Sequence, residues 1–192
     1  MENMNILIVG VGGQGTLLAS RVFGNYAKLL GKDCKLSEVH GMAQRGGSVV
    51  THFKMADKVF APVIAEGEAD VVIAFEKLEA ARYLHFLKPG GKVIYNDREI
   101  MPLPVVIGAV KYPDDLAEKI RKKTPDAVSL NALAIAKECG SIRALNTVML
   151  GVACRELGLD EPKFREALIS AVPAKFLELN LAAFERGLSA GK

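Results

Sequence analysis

A chain of 192 residues, half of them hydrophobic and 24% charged, is long enough to bury one sizeable core and short for two. Its 25 basic and 22 acidic residues leave a formal charge of +3, too small and too evenly spread for a nucleic-acid surface. The N-terminus lacks a basic region followed by an apolar one, and no window approaches the roughly 20 apolar residues that span a bilayer, so a soluble, cytoplasmic protein outside the membrane is expected.

The densest basic run, EKIRKKTPD, lies among acids and has no interleaved aromatics on which bases would stack, which argues against nucleic acid as a partner. Cys34, Cys139 and Cys154 are scattered, with no Cys-x-x-Cys pair, so neither a disulfide framework nor a zinc or iron–sulfur site is expected in this chain. His40 and His52 are separated by a loop, with no carboxylate cluster at ligand spacing, and the metal expectation is none. Any redox centre must come from elsewhere.

In chain order, NILIVG reads as a buried parallel strand, and Leu18, Val22, Tyr26 and Leu29 then recur at steps of four, four and three, giving a helix with one apolar face that ends at Gly31. CKLSEV alternates as a second strand, and SVVTHFKM as a third with Val50, His52 and Lys54 on one side of the pleat. ADVVIAF is a fourth strand, Glu76 to Phe86 a helix that closes at the turn signal KPGG, and KVIYN a fifth strand. VVIGAV is predicted as a further strand, Pro113 and Asp114 open a helix through Leu116 and Ile120, and AVSLN is a short edge strand.

From Asn131 the pattern is helical. Leu145, Val148, Met149 and Val152 line one face; Phe164, Ala167, Leu168 and Ala171 a second, after Asp160 as N-cap; and Leu177, Leu181, Phe184 and Leu188 a third. The alternation predicts a doubly wound α/β fold with a mostly parallel, Rossmann-like sheet and a helical C-terminal segment. A single domain over residues 1–188 is expected, with 189–192 a frayed tail. Ligands of such sheets sit beyond the carboxyl ends of the strands, so Gly12 to Gly15, Glu38 with His40, Glu76, and Asn96 with Asp97 should converge on one crevice.

Gly10, Gly12 and Gly15 satisfy Gly-x-Gly-x-x-Gly between a strand and a helix, where glycines permit positive φ and the helix start offers unpaired N–H groups to an anion. Glu38 falls about where the ribose-binding acid of a dinucleotide site would lie, which supports NAD or FAD. Gly13 opens the turn beyond that fingerprint, and Gln14 adds an amide able to bond a ligand or partner. The loop EVHGMAQRGGSVV then brings a second glycine pair behind Arg45, whose fork of donors suits phosphate or carboxylate. Arg45 can equally tie the loop to Glu38 or Glu76, with Gly46 and Gly47 forming a bulge. Glu76 and Glu79 read best as caps of a helix start, Asn146 as a partner for a buried backbone group, and Ser48 sits outside any Gly-x-Ser-x-Gly elbow.

Taken together, GVGGQG near the start, HGMAQRGGSV after the second strand, DVVIAFEKLEAARYLHFLKPGGKVIYN and LNTVMLG give the chain a resemblance, over nearly its whole length, to a known family. It resembles the gamma-type catalytic domain of the 2-oxoacid:ferredoxin oxidoreductases, and within that family the stand-alone beta (small) subunits of the indolepyruvate type. The resemblance implies an enzyme subunit, inactive without its partner, that oxidatively decarboxylates a 2-oxoacid, an aryl pyruvate first, to an acyl-CoA and carbon dioxide while reducing ferredoxin. It also implies that thiamine diphosphate and the iron–sulfur clusters belong to a large (alpha) partner subunit, with coenzyme A as co-substrate. Gly12, Gly13, Gln14 and Gly15 match the family's first loop, and Gln44, Arg45, Gly46 and Gly47 its second. Both would face the partner's active site and hold an anionic group, Thr16 adding its hydroxyl and N–H. Two alternatives stay open: an NAD- or FAD-binding oxidoreductase or nucleotide-sensing domain, and a non-catalytic assembly subunit docked through the helical tail. That apolar tail also leads to the expectation that the isolated chain self-associates.

Overall fold

The computed structural model describes residues 3–41 and 46–190. Its strands are β1 (Met4–Val11), β2 (Asp33–His40), β3 (Ser48–Ala56), β4 (Ala69–Ala74), β5 (Leu87–Asn96) and β6 (Val128–Leu130). They form one sheet in the order β2-β3-β1-β4-β5-β6. The helices are α1 (Thr16–Leu29), α2 (Lys77–Arg82), α3 (Leu103–Val106), α4 (Leu116–Lys123), α5 (Ala132–Glu138), α6 (Leu145–Glu156), α7 (Glu161–Ala171) and α8 (Leu177–Ser189). Among the described residues, no helix is long and apolar enough to cross a membrane.

The pairs β1–β4, β4–β5 and β5–β6 are parallel, as expected, while β3 runs antiparallel to both β1 and β2. The short connection at 41–47 explains the reversal, because a parallel neighbour needs a crossover of about a dozen residues. β1 is buried on both faces. Its Ile6 and Ile8 meet a core built with Phe23, Phe164 and Phe184, while Leu7 and Val9 meet Ile64, Tyr95 and Ile120. Helices α1 and α5 to α8 supply the first layer, and α2 and α4 cover the second, which gives the doubly wound α/β arrangement.

α6 is buried from Leu145 to Cys154 on every side, so it is a central helix rather than one with a single apolar face. α8 crosses it at glycines: a Cβ on Gly187 would lie 2.2 Å from the Val148 carbonyl, and one on Gly151 2.3 Å from the Phe184 carbonyl. α7 buries Phe164, Ala167, Leu168 and Ala171, the face read from its spacing, and Asp160 caps it by accepting from Lys163 N at 3.1 Å.

Several elements differ from expectation. VVIGAV is no strand: Pro102 precedes α3, Pro104 sits in its first turn, and Gly108 turns the chain at φ 75°. KPGG lies inside β5, where Ala69 pairs with Leu87 but Val71 with Lys92, so residues 88–91 bulge out around Gly90. The helix expected from Glu76 to Phe86 stops at Arg82, and a 3-10 turn follows at Leu84–Phe86. In α1 the buried stripe includes Ala19, Phe23 and Ala27, while Leu29 is exposed; in α8 it is Asn180, Ala183, Phe184 and Gly187, with Leu181 half-buried. The C-terminal residues 189–190 are engaged: Ser189 belongs to α8, and Arg155 donates to the carbonyls of Leu188 and Ala190.

Candidate functional site

The turn after β1 is closed by its own glutamine. Val11 N donates to Gln14 Oε1 at 2.7 Å, and Gln14 Nε2 donates to the Phe75 carbonyl at 2.9 Å, so the amide predicted to meet a ligand is turned inward as a brace. Asn96, fully buried, donates to the same carbonyl at 3.2 Å and accepts from Ala132 N at 2.9 Å, tying the ends of β4 and β5 to the start of α5. Gly15 is the N-cap of α1 at φ 86°, and a Cβ there would fall 2.3 Å from Asn146 Nδ2. Asn146 donates to the half-buried Gly15 carbonyl at 3.4 Å, and its Oδ1 accepts from Thr147 N at 2.8 Å, the buried backbone group its position called for.

The second glycine loop is joined to the first. Gly12 N donates to the Gly47 carbonyl at 2.9 Å, and Gly46 turns at φ 82° before β3 begins. Gln44 and Arg45, also named as site residues, lie outside the described residues. Ser48 donates to the buried Glu79 carboxylate, which Arg82 also meets at 3.2 Å. Burial pushes the Glu79 carboxyl above its ordinary range, while Ser48 and Arg82 pull it back. Glu76 caps α2 by accepting from Glu79 N at 2.9 Å, and also accepts from Ile100 N at 3.0 Å and the Tyr112 hydroxyl at 2.7 Å. It thereby clamps the segment 97–113 onto the sheet end. Burial, then the bond to Glu76, holds the Tyr112 hydroxyl protonated far above its ordinary range.

Above this scaffold the N–H groups of Gly13, Gly15, Thr16 and Leu17 have no protein acceptor among the described residues, and no acid stands in the first turn of α1. That is an anion-receptive helix start. Thr16 opens α1 with its side chain mostly buried and makes no capping bond. The strand-end residues do not converge on one crevice: Glu76 and Asn96 are spent on internal bonds, and the surface around the turn divides into three depressions. One of about 400 Å³ lies between Gly12–Leu17 and Glu38, His40 and Val49. Another of about 200 Å³ lies between Gly13–Gly15 and Arg98, Arg143 and Asn146. The third, about 470 Å³, runs from Gly46–Ser48 past Glu79 to Leu103 and Val110.

Glu38 borders the turn, but β3 intervenes between β2 and β1, so it stands two strand spacings from β1, roughly 10 Å, instead of the single spacing of a dinucleotide fold. Thr51 donates to its carboxylate at 3.1 Å. His52 is internal: its Nδ1 accepts from Ile64 N at 3.2 Å, and burial pushes the imidazole below its ordinary value. Among the described residues, no three His, Cys, Asp or Glu side chains come together so as to hold a metal ion. Cys34 lies on β2, Cys139 follows α5, and Cys154, inside α6, has its thiol pushed up to about 12 by burial.

Sequence reasoning passed over Arg98 and Arg143, which flank the turn, and the apolar strap of Met101, Leu103, Val106, Ile107 and Val110, all exposed beside the second loop. Arg143 lies in the helical turn Ile142–Ala144 that leads into α6, and nothing in its local pattern separates it from a surface charge. The strap carried a signal: apolar residues punctuated by Pro102, Pro104 and Gly108 form neither a helix period nor a strand alternation.

Residues 5–190 match the family model described as pyruvate ferredoxin/flavodoxin oxidoreductase. The chain is 42% identical over 190 residues to the indolepyruvate oxidoreductase subunit IorB of Archaeoglobus fulgidus, covering 96% of this chain and 93% of that one. Its fold matches the gamma subunit of a keto/oxoacid ferredoxin oxidoreductase from Geobacter sulfurreducens with a TM-score of 0.72 at 24% identity, covering 97% and 96% of the two chains. It also matches 2-oxoglutarate:ferredoxin oxidoreductase from Magnetococcus marinus, solved with 2-oxoglutarate, coenzyme A and succinyl-CoA bound, with a TM-score of 0.71 at 19% identity; 98% of this chain covers 31% of that longer one. The matched span and the full-length relative show that the chain belongs to the pyruvate ferredoxin/flavodoxin oxidoreductase family, as an oxidoreductase subunit.

Proposed function

We propose that this chain is the small subunit of a cytoplasmic 2-oxoacid:ferredoxin oxidoreductase that acts on indolepyruvate or a related aryl pyruvate. The complex would cleave the bond between the carboxylate and the oxo carbon, release carbon dioxide, transfer the acyl group to the thiol of coenzyme A, and pass the electron pair to ferredoxin. Thiamine diphosphate and iron–sulfur clusters belong, on this reading, to the large subunit, consistent with the dispersed cysteines here. This chain contributes the joined glycine loops, Gly12–Thr16 with Gly46–Gly47, together with Arg45 from the sequence of the second loop, as an anion-receptive surface for the phosphates of coenzyme A or the substrate carboxylate. The observation that carries the reading is the bond from Gly12 N to the Gly47 carbonyl, which unites the two loops beside an uncapped helix start. The exposed apolar strap beside them supports a surface that the larger subunit covers, which would leave the isolated chain inactive and prone to self-associate.

The test is reconstitution with the co-purified, cluster-bearing large subunit under anaerobic conditions, assayed with aryl and aliphatic 2-oxoacids. Arg45→Ala is expected to raise the KM for coenzyme A about tenfold, the worth of one charge-assisted hydrogen bond. Unchanged KM values for coenzyme A and for the 2-oxoacid, with unchanged assembly, would remove these loops from the site. Because Glu38 does border the turn, the isolated chain should also be titrated with NAD, FAD and coenzyme A. Micromolar binding of NAD or FAD would favour a nucleotide-binding role instead.

A further inference from the structure

Among the described residues two carboxylates are buried, Glu76 and Glu79, three positions apart at the start of α2. Burying a carboxylate is costly unless charged or hydrogen-bonded partners meet it, so its partners show what the burial secures. Glu76 caps the helix and holds the segment 97–113, which accounts for it. Glu79 does neither. Its carboxylate, 5% exposed, accepts from the Ser48 hydroxyl, 31 positions away in sequence, and meets Arg82 Nε at 3.2 Å. The Tyr83 hydroxyl, at the end of α2, lies 3.4 Å from the same serine oxygen.

Ser48 stands where the second glycine loop ends and β3 begins. It pairs with Val11 in the last pair of the β1–β3 ladder, and one residue beyond on each side Gly12 N donates to the Gly47 carbonyl. Ladder ends fray readily. The two residues before Ser48 are glycines, which have the most conformational freedom to lose, and Gly46 lies at φ 82°. Among the described residues the bond from Gly12 is the only hydrogen bond that reaches Gly46–Gly47, so the loop depends on the next side chain, Ser48, for its anchor.

We propose that Glu79 is a positioning residue for the second glycine loop: by accepting from Ser48 it fixes Gly46–Gly47 against α2 and keeps the Gly47 carbonyl at the Gly12 amide. Glu79 acts through Ser48 and touches no substrate. A loop held beforehand in its binding conformation has less freedom to lose when a ligand arrives, so the effect belongs to binding rather than to chemistry. That consequence for the reaction rests on the function proposed above; the positioning itself does not.

Backbone order parameters, measured by NMR relaxation on the full chain, test the positioning. Gly46 and Gly47 should be as ordered as the buried helix α6, at about 0.85, and should fall below about 0.6 in Ser48→Ala while α6 keeps its value. Glu79→Met, similar in size but without an acceptor, should loosen the loop equally. Ser48→Thr, which restores the hydroxyl, and Glu79→Gln, whose amide oxygen still accepts, should keep it ordered. A loop already mobile in the unaltered chain, order unchanged in both Ser48→Ala and Glu79→Met, or an equal fall in α6 would each overturn the positioning. The reconstituted complex then tests its use. Ser48→Ala should raise the KM for coenzyme A or for the 2-oxoacid about tenfold with kcat within about twofold, and Ser48→Thr should restore it. A loosened loop with both KM values unchanged would overturn the consequence for binding. An unaltered complex that turns over no 2-oxoacid would overturn the proposed function instead, and the order parameters would still decide the role of Glu79.

Discussion

Gly15 is held to glycine on two separate grounds, a backbone φ of 86° and the Asn146 amide standing 2.3 Å from where a Cβ would go. Gly13, at φ 95°, meets only the first, since nothing lies within 4 Å of its missing Cβ. Gly13→Ala should therefore cost about 1 kcal/mol of backbone strain, and Gly15→Ala about 2–3 kcal/mol once the Asn146 bonds are disturbed. Urea denaturation of both variants checks this; equal losses would mean that Asn146 simply yields. His52 gives a pH signature. With Nδ1 accepting from Ile64 N, the fold holds the ring neutral and its value below the ordinary 6.5. Its contribution is complete above about 6.5 and is lost as pH falls toward the lowered native value, because the unfolded chain then binds a proton that the fold excludes. Stability should fall across that acid window, and His52→Gln should flatten the fall. At this scale the sequence foretold that Asn146 serves a buried backbone group and that Glu76 caps a helix. The inward bonds of Gln14 to Val11 and Phe75 were not legible in the sequence because they exist only once the turn closes against the end of β4.

The elements show where periodicity suffices and where it fails. α7 packs on one side only, so its spacing declared its buried face in full. α6 is surrounded, and its hydrophobic stripe could not reveal that α8 presses on it at Gly151 and Gly187. Gly187→Ala would drive a methyl into the Val148 carbonyl. The expected cost is about 2–3 kcal/mol and a fall in Tm of about 5–10 °C, readable by calorimetry; an unchanged Tm would mean that the crossing has slack. The direction of β3 was legible in principle. Seven residues, 41–47, cannot carry a parallel crossover, yet the alternation of strand and helix elsewhere drew the eye to a uniform sheet. The strap was misread as a strand because VVIGAV has β-prone residues, whereas its prolines and the clamp from Glu76 decide its shape.

For the molecule as a whole, the apolar side chains at Leu103, Val106, Ile107 and Val110, each more than half exposed and all within eight residues of one another, form an exposed apolar group. If the large subunit covers them, Val106→Asp with Ile107→Asp should leave the Tm of the isolated chain within about 1 °C, since neither is buried, yet weaken co-purification with that subunit by about a hundredfold. Unimpaired assembly would move the interface elsewhere. Assembly was the least legible property, because an exposed Val and a buried one look alike until the fold puts them somewhere. The reversed β3 has one more effect. It makes β2 and β3 a hairpin whose two strands pair from Asp33–Ala56 to His40–Val49, with Gly47, just before β3, bonded to the glycine turn. A connection between two strands paired along their length is closed by their ladder, so exchanging or lengthening the segment 41–47 is expected to cost folding little. On the function proposed above the hairpin would then act as a cassette: what a site shared with the large subunit accepts could be retuned by swapping a few residues, leaving the glycine turn and the rest of the sheet as they are.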